Sequence, residues 1–304
     1  MALKTLLAAA AAALALTATG AVAQTIALVQ INQQALFFNQ MNEGAQKAAD
    51  AAGANLVIFN ANNDPAAQNN AIETYIAQGV DAIIVVAIDV NGVMPAVEQA
   101  FEAQIPTLAV DAILPEGPQA TQIGVDNAKA GEDMAKHFLE VTGGEAKVGI
   151  VGALNSFIQN VRQQGFETGI EGASGVEVVG VVDGRNVQDT ALSAAENLMT
   201  ANPAMNAIYA TGEPALVGAV AAVEAQGATD RVAVFGWDLT AQVIAAIDEG
   251  FVKAVVQQDP AGMGKAAVDA AMTIIGGGEV DPVISVPVTI VTKDNVDDFR
   301  SIFQ

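Results

Sequence analysis

The chain has 304 residues, 52% of them hydrophobic and 15% charged, with 34 acidic against 12 basic side chains and a net charge of −22. That balance argues against a nucleic acid or an anionic membrane as partner. With no cysteine and one histidine, His137, disulfides, thiolate metal sites, cysteine nucleophiles and most histidine-based triads are excluded.

The amino terminus has the order of an export signal: Lys4, an apolar run over 5–18, and the small-residue pattern Ala21-Val-Ala23. Cleavage is expected there, which makes 1–23 a signal peptide and Gln24 the first mature residue. The apolar run is short and ends in Thr17, Thr19 and Gly20. No later segment offers the roughly 18 uninterrupted apolar residues of a spanning helix. The expectation is a soluble exported protein of the periplasm. A mature chain of about 280 residues exceeds what one growing core sustains, so two lobes are expected.

The mature chain alternates strand and helix. Short β-rich runs occupy 25–29, 55–59, 82–86 and 107–110, and helical segments occupy 39–52, 66–78 and 92–103. Gly53 and Gly79 stand where the first two helices would stop. Such alternation builds a parallel sheet with helices on both faces. A further strand over 122–125 precedes a helix over 128–141, in which His137 reads as a partly exposed structural residue. A second series then repeats the layout: strands over 147–151, 176–182, 207–210 and 232–235, and helices over 161–172, 189–201, 214–226 and 241–249.

A strand over 254–258, a helix over 261–275 and a strand over 286–292 remain. They make sense if the chain returns to the first lobe and crosses again. The fold expected is α/β, with two doubly wound parallel-sheet lobes: an N-terminal lobe of 24–125 plus 259–286 and a C-terminal lobe of 126–258 plus 287–304. Crossings near Val125, Gln258 and Val286 would form a three-strand hinge that permits bending and twisting.

Nucleotide motifs fail. Gly149-Ile-Val-Gly152 follows a strand but lacks the third glycine of the dinucleotide fingerprint. Gly264-Lys265 lacks the earlier P-loop glycine, which is Asp259, and is followed by Ala266. No G-x-S-x-G occurs. Asp111 and Asp238 admit an acid/base pair, but equally a pair of hydroxyl acceptors. What holds is a series of polar residues just after strands: Asp111, Asn155, Glu213 and Asp238, with Gln257 and Gln258 at the second crossing. Open α/β sheets bind ligands at the carboxyl ends of their strands. Two sheets facing each other there would aim all of these into one cleft. Read alone, Asp238 is also a fair cap for the helix starting near Ala241. Its neighbour Trp237 is either cleft wall or strand-end packing.

Several motifs in order resemble the periplasmic ribose-binding protein family: Thr25-Ile-Ala-Leu-Val29, Phe37-Phe38, Glu43-Gly-Ala-Gln-Lys47-Ala-Ala-Asp50, Gly124-Val-Asp-Asn127, Arg162-x-x-Gly165-Phe166, Asn197-Leu-Met-Thr-Ala-Asn-Pro203 and Gly236-Trp-Asp238. The likeness covers essentially the whole mature chain. It implies a two-lobed, hinge-closing sugar receptor for an ABC importer, without cofactor or metal. LacI-type repressors share the fold, but they carry a DNA-binding headpiece and no export signal. The resemblance makes Phe37 and Phe38 stacking groups for a sugar ring. Asp111 matches the carboxylate after the fourth strand, Arg162 the guanidinium of R-x-x-G-F, and Asp238 and Gln258 the carboxylate and hinge amide.

Departures from the family are informative. Its aspartate–arginine pair is Asp111-Ala112 here, its N-N-P before the two phenylalanines is Gln34-Ala35-Leu36, its third-strand asparagine is Val86, and another asparagine is Gly212. A third stacking aromatic is replaced near Asn186. Losing a buried partner costs on the order of 1–3 kcal/mol per group, which weighs against ribose itself. Gln30, Asn32, Asn155, Asn186 and Glu213 are candidates for a different hydroxyl pattern. The expected ligand is a small polyol, a modified or branched pentose, or a furanose-like signal molecule. The expected partner is a membrane ABC permease, the expected state a monomer. The alternatives are a chemotaxis sensor with the same pocket and an exported carbohydrate-active enzyme.

Overall fold

The computed structural model describes residues 23–33, 36–154 and 156–303. Nearly all of the expected signal peptide, Gln34, Ala35, Asn155 and Gln304 lie outside them.

The first lobe is built on strands β1 (Thr25–Gln30), β2 (Asn55–Asn60), β3 (Ala82–Val85), β4 (Thr107–Val110) and β5 (Thr121–Gly124). The second repeats them as β6 (Glu145–Gly152), β7 (Gly175–Asp183), β8 (Ala207–Ala210), β9 (Ala233–Trp237) and β10 (Val252–Gln257). Both are parallel sheets with the order 2-1-3-4-5, counted within each lobe. Two short strands complete them: β11 (Val283–Ser285), parallel to β5, and β12 (Thr289–Val291), antiparallel to β10.

The central strands are apolar throughout because helices cover both faces. Along β1, Ile26 and Leu28 join one core with Met41 and Ala45 of α1 (Leu36–Ala52) and Met263 and Val268 of α9 (Pro260–Ile275). Ala27 and Val29 point the other way, toward Ile72 and Tyr75 of α2 (Pro65–Gln78) and Val97 of α3 (Met94–Glu102). That is the signature of a sheet buried on both sides. The second lobe repeats it. Val148 and Ile150 face Met134 and Phe138 of α4 (Asn127–Thr142) and Phe166 of α5 (Phe157–Ile170). Val151 faces the core of α6 (Gln188–Ala201), α7 (Glu213–Ala225) and α8 (Ala241–Glu249).

The chain passes from the first sheet to the second between β5 and α4, returns between β10 and α9, and passes again between β11 and β12. The strand expected over 286–292 is β12, over Thr289–Val291, and β11 just before it, which pairs with the other sheet, was not expected. Pro287 lies between them and cannot donate a ladder hydrogen bond. Two helices start earlier than the apolar spacing alone predicts. Helix α5 begins at Phe157 because Ser156 caps it, and α1 begins at Leu36.

In each lobe the crossing helix packs very closely on the helix after the first strand. A Cβ on Gly165 would stand 2.2 Å from the carbonyl oxygen of Ala128, and one on Gly131 would stand 2.5 Å from that of Arg162. Gly44 and Gly264 make the same approach between α1 and α9, each 2.0 Å from a carbonyl oxygen. His137 is half-buried on α4, its Nδ1 3.9 Å from Glu140, as expected of a structural residue.

Candidate functional site

A cleft of about 690 Å³ lies where the carboxyl ends of the two sheets face each other. Two carboxylates mark matching positions in it. Asp111 follows β4 and Asp238 follows β9; both have left-handed backbones, φ 65° and 66°, a conformation that aspartate tolerates better than most residues. The Asp111 N–H donates to Ile123 on the next strand and the Asp238 N–H to Val256 on the next strand. The sharp turn at each strand end directs a carboxylate into the cleft. Helix α8 has its own cap: Thr240 Oγ1 accepts from the Val243 N–H at 3.2 Å. Asp238 is thus free of that role.

Arg162 enters from α5. The glycine contacts between α4 and α5 let it approach, and it is held on several sides. Its Nε donates to Asn127 Oδ1 at 2.8 Å and Nη1 to the Thr211 carbonyl at 3.2 Å. Its guanidinium carbon stands 3.8 Å from the centroid of the Trp237 ring, a cation–π contact. Trp237 is fully buried and donates through Nε1 to Tyr209 Oη at 2.8 Å; Tyr209 stacks on Phe166 with centroids 4.0 Å apart. Trp237 is therefore packing beneath Arg162. The Arg162 Nη1 is 3.9 Å from Asp238 Oδ2, an ion pair with room between the charges.

Asp238 accepts from Gln258 Nε2 at 3.0 and 3.1 Å. Gln258 Oε1 is buried with no partner among the described residues. Gln257 serves the backbone, accepting from the Leu239 N–H at 2.8 Å. Burial pushes the Asp111 carboxyl up to about 6, against the pull of Arg162 and with the repulsion of Asp238. Burial also raises Asp238, which Arg162 and Gln258 partly offset. Glu213 is raised by burial and by the Asp238 charge.

The cleft gathers Phe37, Asp111, Arg162, Asn186, Glu213, Asp238, Gln257 and Gln258 from the residues picked out in sequence. Phe38 does not line it. This ring packs edge-on against Phe37, centroids 5.4 Å apart, and against the first lobe's core. Gln30 is fully buried under α1, donating to Asn42 Oδ1 at 3.0 Å, and Asn32 donates to Asn63; both lie away from the cleft lining. Asn155 lies outside the described residues. The sequence reading missed Gln40, Gln159, Thr240 and the carboxyl-terminal Ile302 and Phe303. Gln159 was findable, since it precedes Arg162 by three residues on one helix face. It accepts from Ala153 N–H and Thr211 Oγ1 and donates to Asn186 Oδ1.

Carboxylates and amide oxygens accept hydroxyl hydrogen bonds, and a guanidinium donates several in a plane. The cleft thus suits a hydroxyl-rich molecule. Among the described residues no cluster of candidate metal ligands occurs, and no helix is long and apolar enough to cross a membrane.

A family model described as a periplasmic binding protein domain matches residues 26–279. The ribose import binding protein RbsB of Escherichia coli K12 is 28% identical over 292 residues, covering 96% of this chain and 98% of its own. That of Bacillus subtilis 168 is 29% identical over 258 residues, covering 84% and 83%. Among solved structures, a periplasmic solute-binding protein of an ABC transporter from Actinobacillus succinogenes 130z with bound D-allose superposes with TM-score 0.82 at 26% identity, covering 90% of this chain and 99% of that one. A solute-binding protein from Bacillus halodurans C-125 with bound myo-inositol gives 0.81 at 26% identity, covering 94% and 100%. This chain belongs to the periplasmic binding protein family.

Proposed function

We propose that this chain is the solute-binding component of an ABC importer and captures a sugar or sugar-like polyol by closing two lobes around it. The observation that carries the reading is the facing of Asp111, from the first lobe, toward Arg162 and Asp238 of the second, close enough for each charge to act on the others. A ligand that bonds to both lobes makes all its contacts only in the closed state and so shifts the population toward it. Bending would occur where the chain passes between the sheets, next to Gly124, Gln258 and Val286.

Phe37 offers a ring for the C–H face of a sugar, and Arg162, Asp111, Asp238 and Gln258 supply the polar contacts. Export through the amino-terminal signal places the mature chain in the periplasm as a monomer. It hands its ligand to a membrane permease whose ATPase supplies the energy, and it performs no chemistry itself. Relatives that bind allose and myo-inositol set the ligand class, and Ala112 leaves ribose a poor fit.

The test is a thermal-shift screen of the mature chain over pentoses, hexoses and polyols, followed by calorimetry on each hit with wild type and Asp238→Ala. A bound ligand raises the unfolding temperature through its preference for the folded state. Loss of that rise in Asp238→Ala, with the ligand-free melting temperature nearly unchanged, is the expected result. Unchanged affinity together with a large fall in stability would return Asp238 to a structural role.

A further inference from the structure

The charges in the cleft do not balance. Asp111, Glu213 and Asp238 line it, with Arg162 as the one cation among the described lining residues. Arg162 is already engaged by Asn127, the Thr211 carbonyl and the Trp237 ring. It stands nearest Asp238, which also holds the Gln258 amide. Asp111 and Glu213 have no hydrogen-bond donor from the protein among the described residues, and no cation acts on Glu213.

A second observation points the same way. Gln258 is 7% exposed, lines the cleft and leaves Oε1 buried with no donor. The Asp111 and Glu213 carboxylates and the Gln258 amide oxygen are thus acceptors without a protein donor among the described residues. A hydroxyl brings one donor, whereas an ammonium brings three donors, no acceptor and a positive charge. Buried polar atoms are ordinarily paired, and a carboxylate withdrawn from water without a close countercharge is costly; this bears on the half-buried Asp111, whereas Glu213 stands exposed in the cleft lining.

We infer that the ligand is an aminated polyol, a sugar or cyclitol bearing one protonated amine that the Asp111 and Glu213 carboxylates receive. Its hydroxyls meet the remaining N–H groups of Arg162 on the other side. Burial and the Asp238 charge hold the Asp111 carboxyl near 6 without such a partner. An ammonium beside it restores the ionised form. The inference rests on the sugar-receptor reading and narrows its ligand class.

The experiment is calorimetry on matched pairs that differ by one amine for one hydroxyl: D-glucose with D-glucosamine, D-galactose with D-galactosamine, and myo-inositol with an amino-deoxyinositol. Tighter binding of the aminated member in at least one pair, by tenfold or more at pH 7, is expected. Glu213→Gln should then weaken the aminated member several-fold more than its neutral partner. A neutral member that binds as tightly as its amine, or a Glu213→Gln effect equal on both, overturns the inference and leaves the receptor reading standing. If no member of any pair binds, the inference falls, and the receptor reading falls with it only if the pentoses, hexoses and polyols of the thermal-shift screen fail as well.

Discussion

Asp111 and Asp238 hold the same place in their lobes, with nearly the same φ and the same backbone hydrogen bond to the next strand, yet their surroundings differ. Asp238 sits beside a buried guanidinium and accepts two contacts from Gln258. Asp111 feels the same guanidinium only from farther off, with no protein donor on its carboxylate among the described residues, and Ala112 follows it. The helix after the first strand shows the same contrast. Helix α5 brings Gln159 and Arg162 to the cleft, both bonded to the strand ends around them, whereas α1 brings Leu36, Phe37 and Gln40. One scaffold used twice has been given a rigid polar half and a largely apolar half. Preorganised groups lose less entropy on binding. The second lobe is therefore the expected first landing place for the ligand, and the first lobe closes over it.

Removing the rigid half's cation tests this most severely. Arg162→Ala would leave Asp238 without its countercharge and strip a donor from Asn127 and the Thr211 carbonyl. Breaking a buried pair in this way costs roughly 3–5 kcal/mol. Both the melting temperature and the affinity should fall, the latter by a hundredfold or more in calorimetry. Arg162→Lys keeps the charge but loses the planar fork, and should recover stability more than affinity. Equal recovery of both would show that Arg162 acts as a charge alone.

The unpaired half responds in the opposite sense. Asp111 titrates near 6 in the folded chain, against an ordinary value of 3.8, so folding favours its protonated form. Its contribution to stability is complete below about pH 4 and is lost as pH rises through 6. A shift of this size corresponds to up to about 3 kcal/mol at pH 7. Asp111→Asn should therefore raise the ligand-free unfolding free energy at pH 7, with the gain vanishing near pH 4, while affinity falls. Wild-type affinity should weaken below pH 6 as the acceptor is protonated. A variant less stable than wild type at pH 7 would show that Asp111 is paired after all.

The doubled scaffold was legible in sequence because it rests on local pattern. Apolar runs of four to six residues alternate with helical spacing, and the two series match in length. The polar strand ends followed from the same register, which is why Asp111, Glu213 and Asp238 were found. What was not legible depends on contacts distant in sequence. Gln30 reads as a strand-end ligand group, but its side chain turns under α1 to Asn42. Strand β11, three residues long, precedes the strand expected over 286–292 and shows itself only through its pairing with β5, far back in the chain. Trp237 could be assigned only once Arg162 was placed above it and Tyr209 beside it.

Phe37 and Phe38 draw the same distinction within a single dipeptide. A helix turns about 100° per residue, so neighbouring side chains point in different directions. Both rings pack against the first lobe's core, and of the two it is Phe37 that also lines the cleft. Phe37→Ala should cost affinity by roughly 1 kcal/mol, about fivefold, the size of a single aromatic contact, with a smaller change in melting temperature. Phe38→Ala should do the reverse, lowering stability by about 1–3 kcal/mol as a partly buried ring is lost, with affinity nearly kept. The two rings also touch edge to edge, so the double variant should deviate from additivity by several tenths of a kcal/mol. Equal affinity losses in the two single variants would mean that closure turns Phe38 toward the ligand as well, and that the apolar half rearranges where the polar half does not.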